Sequence, residues 1–191
     1  VTILTSGRSE ALLRREVPQC DFITLPDYPT PYTKTRFFIF KFAAFIPHML
    51  SAIHRERLAA RKIIEDGKFD LVLSDNRFGV RHPDVPSFFI SHQLRFAAPR
   101  VLWPFQCLGE FFNRVHHRHF LRVIVPDVAD ERNNLSGALA HELYWPKRER
   151  YYYAGVLSST QKMDVPEDVD LFISISGPEP QRTELERIVL R

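Results

Sequence analysis

The chain has 191 residues, of which 45% are hydrophobic, and its 16 phenylalanines supply ample material for a buried core. This composition excludes an intrinsically disordered chain, because disordered chains are poor in aromatic residues. The formal net charge is only +3, and the basic stretch between residues 33 and 62 contains no motif that reads nucleic acid, so we expect no nucleic-acid partner.

Short apolar runs alternate with helical periodicity along the chain. Strands are predicted at residues 1–4, 21–25, 70–73, 87–91, 122–125, 151–153 and 171–175. Helices are predicted at residues 8–16, 35–66 and 105–120, and from Pro180 onward. Pro47 is expected to kink or divide the second helix. The alternation is typical of α/β proteins with a Rossmann-like, doubly wound parallel sheet, and the first four strands are expected to share one sheet.

The sequence also suggests how the chain divides. Residues 1–156 are predicted to form one Rossmann-like domain, residues 157–168 a linker, and residues 169–191 the first strand, loop and helix of a second domain. The chain opens at Val1 inside a strand and stops at Arg191 inside a helix. We therefore expect both domains to be incomplete, with a break in the sheet between the first strand and residues 70–73.

Polar residues follow two neighbouring strands. Asp75, Asn76 and Arg77 come after the third strand, and His92 and Gln93 come after the fourth. Ligands of open α/β sheets bind at the carboxyl ends of the strands. An ordinary turn remains an alternative for the first group, because Asp and Asn close loops everywhere, and a structural role remains one for the histidine.

A third polar stretch links the last strand to the last helix. Its Gly permits a close backbone approach, and the helix start exposes amide groups that can hold a phosphate. The candidate ligands are Ser176, Gly177, Pro178, Glu179, Gln181 and Arg182. A plain strand-to-helix connection is the alternative, since the stretch matches neither common nucleotide-binding motif.

Other polar clusters are less informative. His116, His117 and His119 have no carboxylate or thiol at a ligand spacing, so a solvated helix face is favoured and no metal is predicted. Residues 133–137, with His141, form either a functional or an ordinary loop.

Cys20 and Cys107 fit buried thiols in a reducing compartment, and no signal-peptide pattern is found, so a cytoplasmic protein is expected.

Taken together, residues 73–79, 86–94, 125–127, 134–137 and 176–182 resemble bacterial glycosyltransferases of the GT-B architecture related to family 28. The resemblance implies an acceptor-side domain and a donor-side domain with the active site between them. The donor would be a nucleotide sugar, a UDP-sugar by analogy, carrying a hexose or N-acetylhexosamine. That donor is a substrate, so no cofactor is expected, and the acceptor is unknown.

Site roles follow from the resemblance as expectations. Asp75 and His92 are the catalytic candidates, Asn76, Arg77 and Gln93 would bind the acceptor, and the 176–182 turn would bind the donor diphosphate. The family's first strand, with its Gly-rich loop, is absent ahead of Val1, and its acidic ribose-binding residue is absent beyond Arg191. The chain alone is therefore expected to be inactive, whereas its full-length parent would be a hexosyltransferase.

Three alternatives stay open at this stage. The first is a sugar- or nucleotide-binding protein of the same fold without catalysis. The second is a sugar-phosphate isomerase or epimerase, although residues 5–8 make a poor phosphate cradle. The third concerns location: Phe37, Phe38, Phe40 and Phe45, interleaved with Lys34, Arg36 and Lys41, can form either core or a peripheral contact with the inner face of the cell membrane.

Overall fold

The structure is a computed structural model. It describes residues 1–27, 38–96, 103–130, 132–145, 148–158, 163–164, 166, 168–175 and 181–190. Tertiary contacts divide the chain into two units, Val1–Leu157 and Ser158–Arg191. The turn residues Ser176 to Glu179, and the side chains of the proposed membrane-contact residues from Lys34 to Lys41, lie outside what is described.

Strands and helices alternate along the first unit. Its strands are β1 (Thr2–Thr5), β2 (Asp21–Thr24), β3 (Val72–Asp75), β4 (Ser87–Ile90), β5 (Arg122–Val125) and β6 (Tyr151–Tyr153). Its helices are α1 (Gly7–Glu16), α2 (Phe38–Gly67) and α3 (Trp103–His117), with 3-10 turns at Gly137–Leu139 and Arg148–Arg150. The first six predicted strands are confirmed to within two residues.

The described strands pair in parallel but form two sheets. β1 pairs with β2, and the larger sheet has the order β3-β4-β5-β6. The prediction that the first four strands share one sheet is therefore wrong, whereas the expected break between β1 and β3 is found. Side chains join the two sheets instead of a backbone ladder, since Leu4 and Leu25 pack in the same cluster as Val72. The class is mixed α/β, consistent with a Rossmann-like domain.

Helix α2 buries its apolar face against both sheets. Ala60 and Ile64 pack with Leu25, which follows β2 of the first sheet, and with Val72 of the second, and Ile53 is buried two turns earlier. The helix runs continuously through Pro47, so the predicted division at that residue does not occur. Burial of this face supplies far more stabilisation than the backbone hydrogen bond that Pro47 removes.

The core of the larger sheet is built from aromatic and β-branched side chains. Phe89, Val123 and Val125 lie on the strands, and Phe120 and Leu94 close the cluster from the connecting loops. Helix α3 ends three residues before its predicted end. There the amide of Phe120 bonds the carbonyl of His117 at 3.1 Å, so the chain turns towards β5.

The second unit contains helix α4 (Gln181–Val189), which confirms the predicted helix. The strand predicted at residues 171–175 is wrong, because these residues have no strand conformation and Leu171 and Phe172 are 75% and 82% exposed. A strand needs a neighbour to satisfy its backbone groups, and no other strand occurs among the described residues of this unit. The apolar run therefore indicates strand propensity without a partner.

Candidate functional site

The carboxyl edge of the larger sheet brings together the two predicted catalytic side chains. β3 ends at Asp75, whose backbone partner on β4 is Ile90. His92 follows Ile90 by two residues, so Asp75 and His92 lie at the ends of adjacent parallel strands. Both side chains are exposed. This arrangement agrees with the prediction that both residues lie at one edge of the sheet, and their catalytic roles stay a prediction.

The turn after β3 presents an amide beside a carboxylate. Asn76 has a φ of 52°, a left-handed conformation that Asn tolerates better than most residues. Its amide nitrogen bonds the carbonyl of Ile90 at 3.1 Å, and its side-chain amide reaches the Asp75 carboxylate at 3.3 Å. The two exposed side chains therefore form one polar patch at the sheet edge.

Arg77 points inward and links three parts of the first unit. Its guanidinium donates to Ser6 Oγ at 2.9 Å, to the Pro26 carbonyl at 2.8 Å and to Glu56 on α2. These partners follow β1, follow β2 and lie on α2, respectively. The geometry gives Arg77 a structural role in holding both sheets at their carboxyl edges, and its acceptor-binding role stays a prediction.

Glu56 is the buried partner of this crosslink. Its side chain is 4% exposed, and its second oxygen accepts the amide of Gly79 at 2.9 Å. A Cβ placed on Gly79 would lie 2.8 Å from the carbonyl of Ile53 and 2.9 Å from the amide of Arg57. Glycine is therefore required here, because the loop after β3 lies directly against the backbone of α2.

The loop after β4 is ordered by a short side-chain turn. Ser91 is buried, and its hydroxyl accepts the Gln93 amide at 3.2 Å and donates to the Gln93 carbonyl at 3.1 Å. The next amide, from Leu94, bonds the carbonyl of Leu139 at 2.9 Å. Gln93 is half-buried while His92 is exposed. The loop thus fixes the backbone on both sides of the predicted catalytic histidine.

Asp127, after β5, is a site residue that the sequence analysis did not select. It is 1% exposed, and its carboxylate accepts the amides of Val128, Leu135 and Ser136 at 2.8–3.0 Å, together with the Ser136 hydroxyl. Burial by itself raises the pKa of Asp127, but the hydrogen bonds from Ser136, Leu135 and Val128 outweigh it and hold the pKa well below the ordinary carboxyl range. The carboxylate therefore stays ionised.

His141 completes this arrangement. Its Nε2 lies 3.2 Å from Asp127, and its ring stacks on Tyr153 with centroids 4.9 Å apart. A signal in the sequence could have found Asp127, because it follows a strand of the same sheet just as Asp75 does. The open question about residues 133–137 is answered in part: this loop is tied to the sheet edge through Asp127.

The helix start after β1 is not suited to phosphate. A Cβ placed on Gly7 would lie 2.7 Å from the Asp27 carboxylate, so an acidic group occupies the space beside the first turn of α1. Ser6 Oγ already accepts from Arg77. A negative charge at this position repels a phosphate, which argues against the isomerase or epimerase alternative.

The histidines at the end of α3 differ in burial: His117 lies in the core, so the solvated helix face predicted for this cluster is wrong at that residue, whereas His119 is exposed. Within the described residues, no group of three or more His, Cys, Asp or Glu side chains is arranged to hold a metal ion. His117 is 1% exposed and packs against Phe89, with ring centroids 5.0 Å apart. Burial, followed by the charges of His116 and Arg150, lowers the pKa of His117 to about 3. The imidazole is therefore a neutral core group.

The donor-side candidates are only partly described. Gln181 is the first residue of α4, and Arg182 is exposed in its first turn. Both positions agree with the predicted helix start, and their binding of a diphosphate stays a prediction.

No protein-family model and no curated sequence matches the chain. None of the described helices is both long and apolar enough to span a lipid bilayer. The fold and the edge geometry therefore define an α/β protein with a parallel sheet whose carboxyl edge carries exposed polar side chains.

Proposed function

We propose that the chain is the acceptor-side part of a glycosyltransferase that uses a nucleotide sugar, with UDP as the nucleotide. One observation carries this proposal: exposed Asp75 and His92 lie at the ends of adjacent parallel strands, where α/β enzymes bind their ligands. The resemblance of residues 73–79 and 86–94 to family 28 falls on these same two loops.

In this proposal Asp75 or His92 removes the proton from the attacking hydroxyl of the acceptor. Either side chain has the chemistry for this step, because a carboxylate and a neutral imidazole both accept protons at neutral pH. Asn76 and Gln93 would orient the acceptor through hydrogen bonds. The leaving diphosphate would be held by the amides at the start of α4 and by Arg182, without a metal.

Transfer assays on the complete gene product test the proposal. We expect transfer from UDP-glucose or UDP-N-acetylglucosamine to be reduced roughly 100-fold or more by Asp75→Asn or His92→Asn, whichever removes the general base. Asp70→Asn and His54→Asn are matched controls, since both residues are exposed and lie outside the edge loops. The proposal fails if neither edge variant differs from its control while the parent shows transfer.

A non-catalytic binding protein of the same fold is the second candidate. It is favoured by one observation: the most strongly held charges at the carboxyl edge, Arg77 and Asp127, are bonded to groups of the protein itself. Calorimetry separates the two functions. Binding of a UDP-sugar without any transfer or hydrolysis by the complete gene product would support this second candidate.

A further inference from the structure

A cavity lies at the amino edge of the larger sheet, opposite the candidate site. Its volume is about 270 Å³, and it lies between α3 and the beginning of β6. The lining residues are Phe111, Arg114, Val115, Arg118, Arg150 and Tyr151. Strands of four residues separate the two edges by about 13 Å, so the cavity is not part of the carboxyl-edge site.

The cavity wall is basic and contains no acidic residue. Arg114 lies on the last turn of α3, and Arg118 follows the helix, where its amide bonds the carbonyl of Arg114 at 3.2 Å. The two side chains are therefore one helical turn apart, and their like charges repel each other. Among the described side chains, neither arginine forms an ion pair with a carboxylate. An anion placed between the two guanidinium groups would relieve this repulsion and receive forked hydrogen bonds.

Arg150, on the same cavity wall, has a structural role. Its Nη1 donates to the Phe120 carbonyl at 2.9 Å and to the carbonyls of His117 and Arg118 at 3.4 and 3.3 Å. These are the last carbonyls of α3 and the turn that follows it. Arg150 therefore fixes the end of the helix that carries Arg114 and the turn that carries Arg118, and it adds positive charge to the cavity.

Further cations lie near the cavity, although the buried carboxylate of Glu110 acts on Tyr151 in the same region. Burial, then the charges of Arg57 and Arg118, lowers the pKa of Arg81 to about 10. Burial and the charges of Arg81, Arg118 and Arg57 lower the pKa of His119 to about 4. The cations in this region thus repel one another, and a bound anion would offset that repulsion.

Two of the three other lining residues, Phe111 and Tyr151, are aromatic, and the third is Val115. Phe111 is 53% exposed, and its ring lies 6.4 Å from that of Trp145 in an edge-to-face arrangement. Burial, followed by the charge of Glu110, raises the pKa of Tyr151 to about 12, so its hydroxyl keeps the proton it can donate. The cavity therefore offers cations for an anionic group and rings for an organic group.

We propose that this cavity binds a small organic phosphate, with Arg114 and Arg118 as the phosphate ligands and Phe111 against the organic part. A phosphate dianion matches two forked guanidinium groups better than a single carboxylate does. The volume approaches the lower end of ordinary ligand pockets, about 300 Å³, and leaves room for more than the phosphate group. The site is independent of the proposed transferase activity.

Isothermal titration with phenyl phosphate and with inorganic phosphate tests this proposal on the 191-residue chain. We expect saturable binding of phenyl phosphate, weakened about tenfold or more by Arg114→Gln combined with Arg118→Gln. Arg55→Gln combined with Lys62→Gln removes the same charge from exposed positions of α2 and should leave the affinity within about twofold. Phe111→Ala should remove the preference for phenyl phosphate over inorganic phosphate.

Two further arms keep the test decisive. Should the double Gln variant not fold, Arg114→Lys with Arg118→Lys keeps both charges but loses the fork, and we expect it to weaken binding about threefold or more. Vesicles containing phosphatidic acid identify a lipid headgroup as the source of the phosphate. No binding of phenyl phosphate, equal binding by the Gln and control variants, or binding to the vesicles alone would overturn the proposal.

Discussion

The charged side chains at the two edges of the larger sheet differ in their bonding partners. At the carboxyl edge, Arg77 is paired with Glu56, and the Asp127 carboxylate accepts hydrogen bonds from the loop that follows it. At the amino edge, Arg114 and Arg118 line a cavity and have no carboxylate partner among the described residues. Charged side chains with partners in the protein therefore lie at the carboxyl edge of the four strands, and arginines without a carboxylate partner among the described residues lie at the amino edge.

This difference in partners separates charged side chains that stabilise the fold from those that can bind a ligand. A buried charge whose partners belong to the protein contributes to the fold, and its removal leaves those partners unsatisfied. A charge without such partners keeps its capacity to bind a ligand. The comparison therefore assigns stability to Arg77 and Asp127, and it leaves Asp75 and His92 as the groups available for chemistry at the carboxyl edge.

Breaking the Arg77 crosslink should have the largest effect on stability. Arg77→Met removes the guanidinium that is paired with the Glu56 carboxylate, whose side chain is 4% exposed. Removing one partner of a buried pair costs about 3–5 kcal/mol, so we expect a loss of that size in the free energy of unfolding. Urea unfolding followed by circular dichroism measures it.

An exposed arginine–glutamate pair on the same helix provides the control for Arg77. Arg61 and Glu65 lie four residues apart, and about half of each side chain is exposed. Arg61→Met should change the unfolding free energy much less, because solvent screens this pair. Equal effects of the two substitutions would show that the Arg77 crosslink does not hold the sheets together.

Replacing Asp127 should have the next largest effect. Asp127→Asn turns one acceptor oxygen into a donor that faces the amides of Leu135 and Ser136. We expect the free energy of unfolding to fall by about 2–3 kcal/mol at pH 7. Asp70→Asn, an exposed carboxylate before β3, should have little effect in the same urea titration.

The pH dependence sharpens the prediction for Asp127. Its pKa is lowered in the folded protein, so the unfolded chain binds the proton more tightly. The stability it contributes is therefore complete above the ordinary carboxyl pKa of about 4 and is lost as the pH falls below it. The difference between wild type and Asp127→Asn should shrink between pH 4 and pH 2. A constant difference over this range would contradict the hydrogen-bond pattern.

Local patterns predicted most of the first unit. Each apolar run such as that of β4 ends at a polar residue or a proline, and each helix shows an apolar face. The existence and type of each strand and helix could therefore be inferred from the sequence. Pairing could not be inferred in the same way, because it depends on neighbours distant in sequence. The run at residues 171–175 has the composition of a strand, yet nothing in its own sequence shows whether a partner strand lies beside it.

The candidate site was predictable in place but not in detail. The rule that ligands bind at the carboxyl ends of parallel strands located Asp75 and His92. It could not show that Arg77 bends inward to Glu56, because the two residues are 21 positions apart and their contact depends on the packing of α2 on the sheet. The cavity beside Arg114 was missed for the same reason, since Arg150 and Tyr151 approach α3 only in the folded chain.

Replacing His117, near the amino edge, should have the smallest effect on stability at neutral pH. Neither ring nitrogen has a hydrogen-bond partner in the described part of the chain, and the folded pKa is about 3. We expect His117→Leu to change the unfolding free energy at pH 7 by no more than about 1 kcal/mol, because a leucine loses no hydrogen bond at this position.

At lower pH the same substitution should become stabilising. Between pH 6.5 and pH 3 the unfolded chain binds a proton at His117 and the folded chain does not, so wild type loses about 1.4 kcal/mol of stability per pH unit through this residue. His117→Leu removes that loss and should gain about 2 kcal/mol on wild type between pH 6.5 and pH 5. His54→Leu, at an exposed position of α2, is the control. If urea unfolding gives wild type and His117→Leu the same dependence on pH, the pKa of His117 is the same in the folded and unfolded chains, and the imidazole is not held neutral by burial.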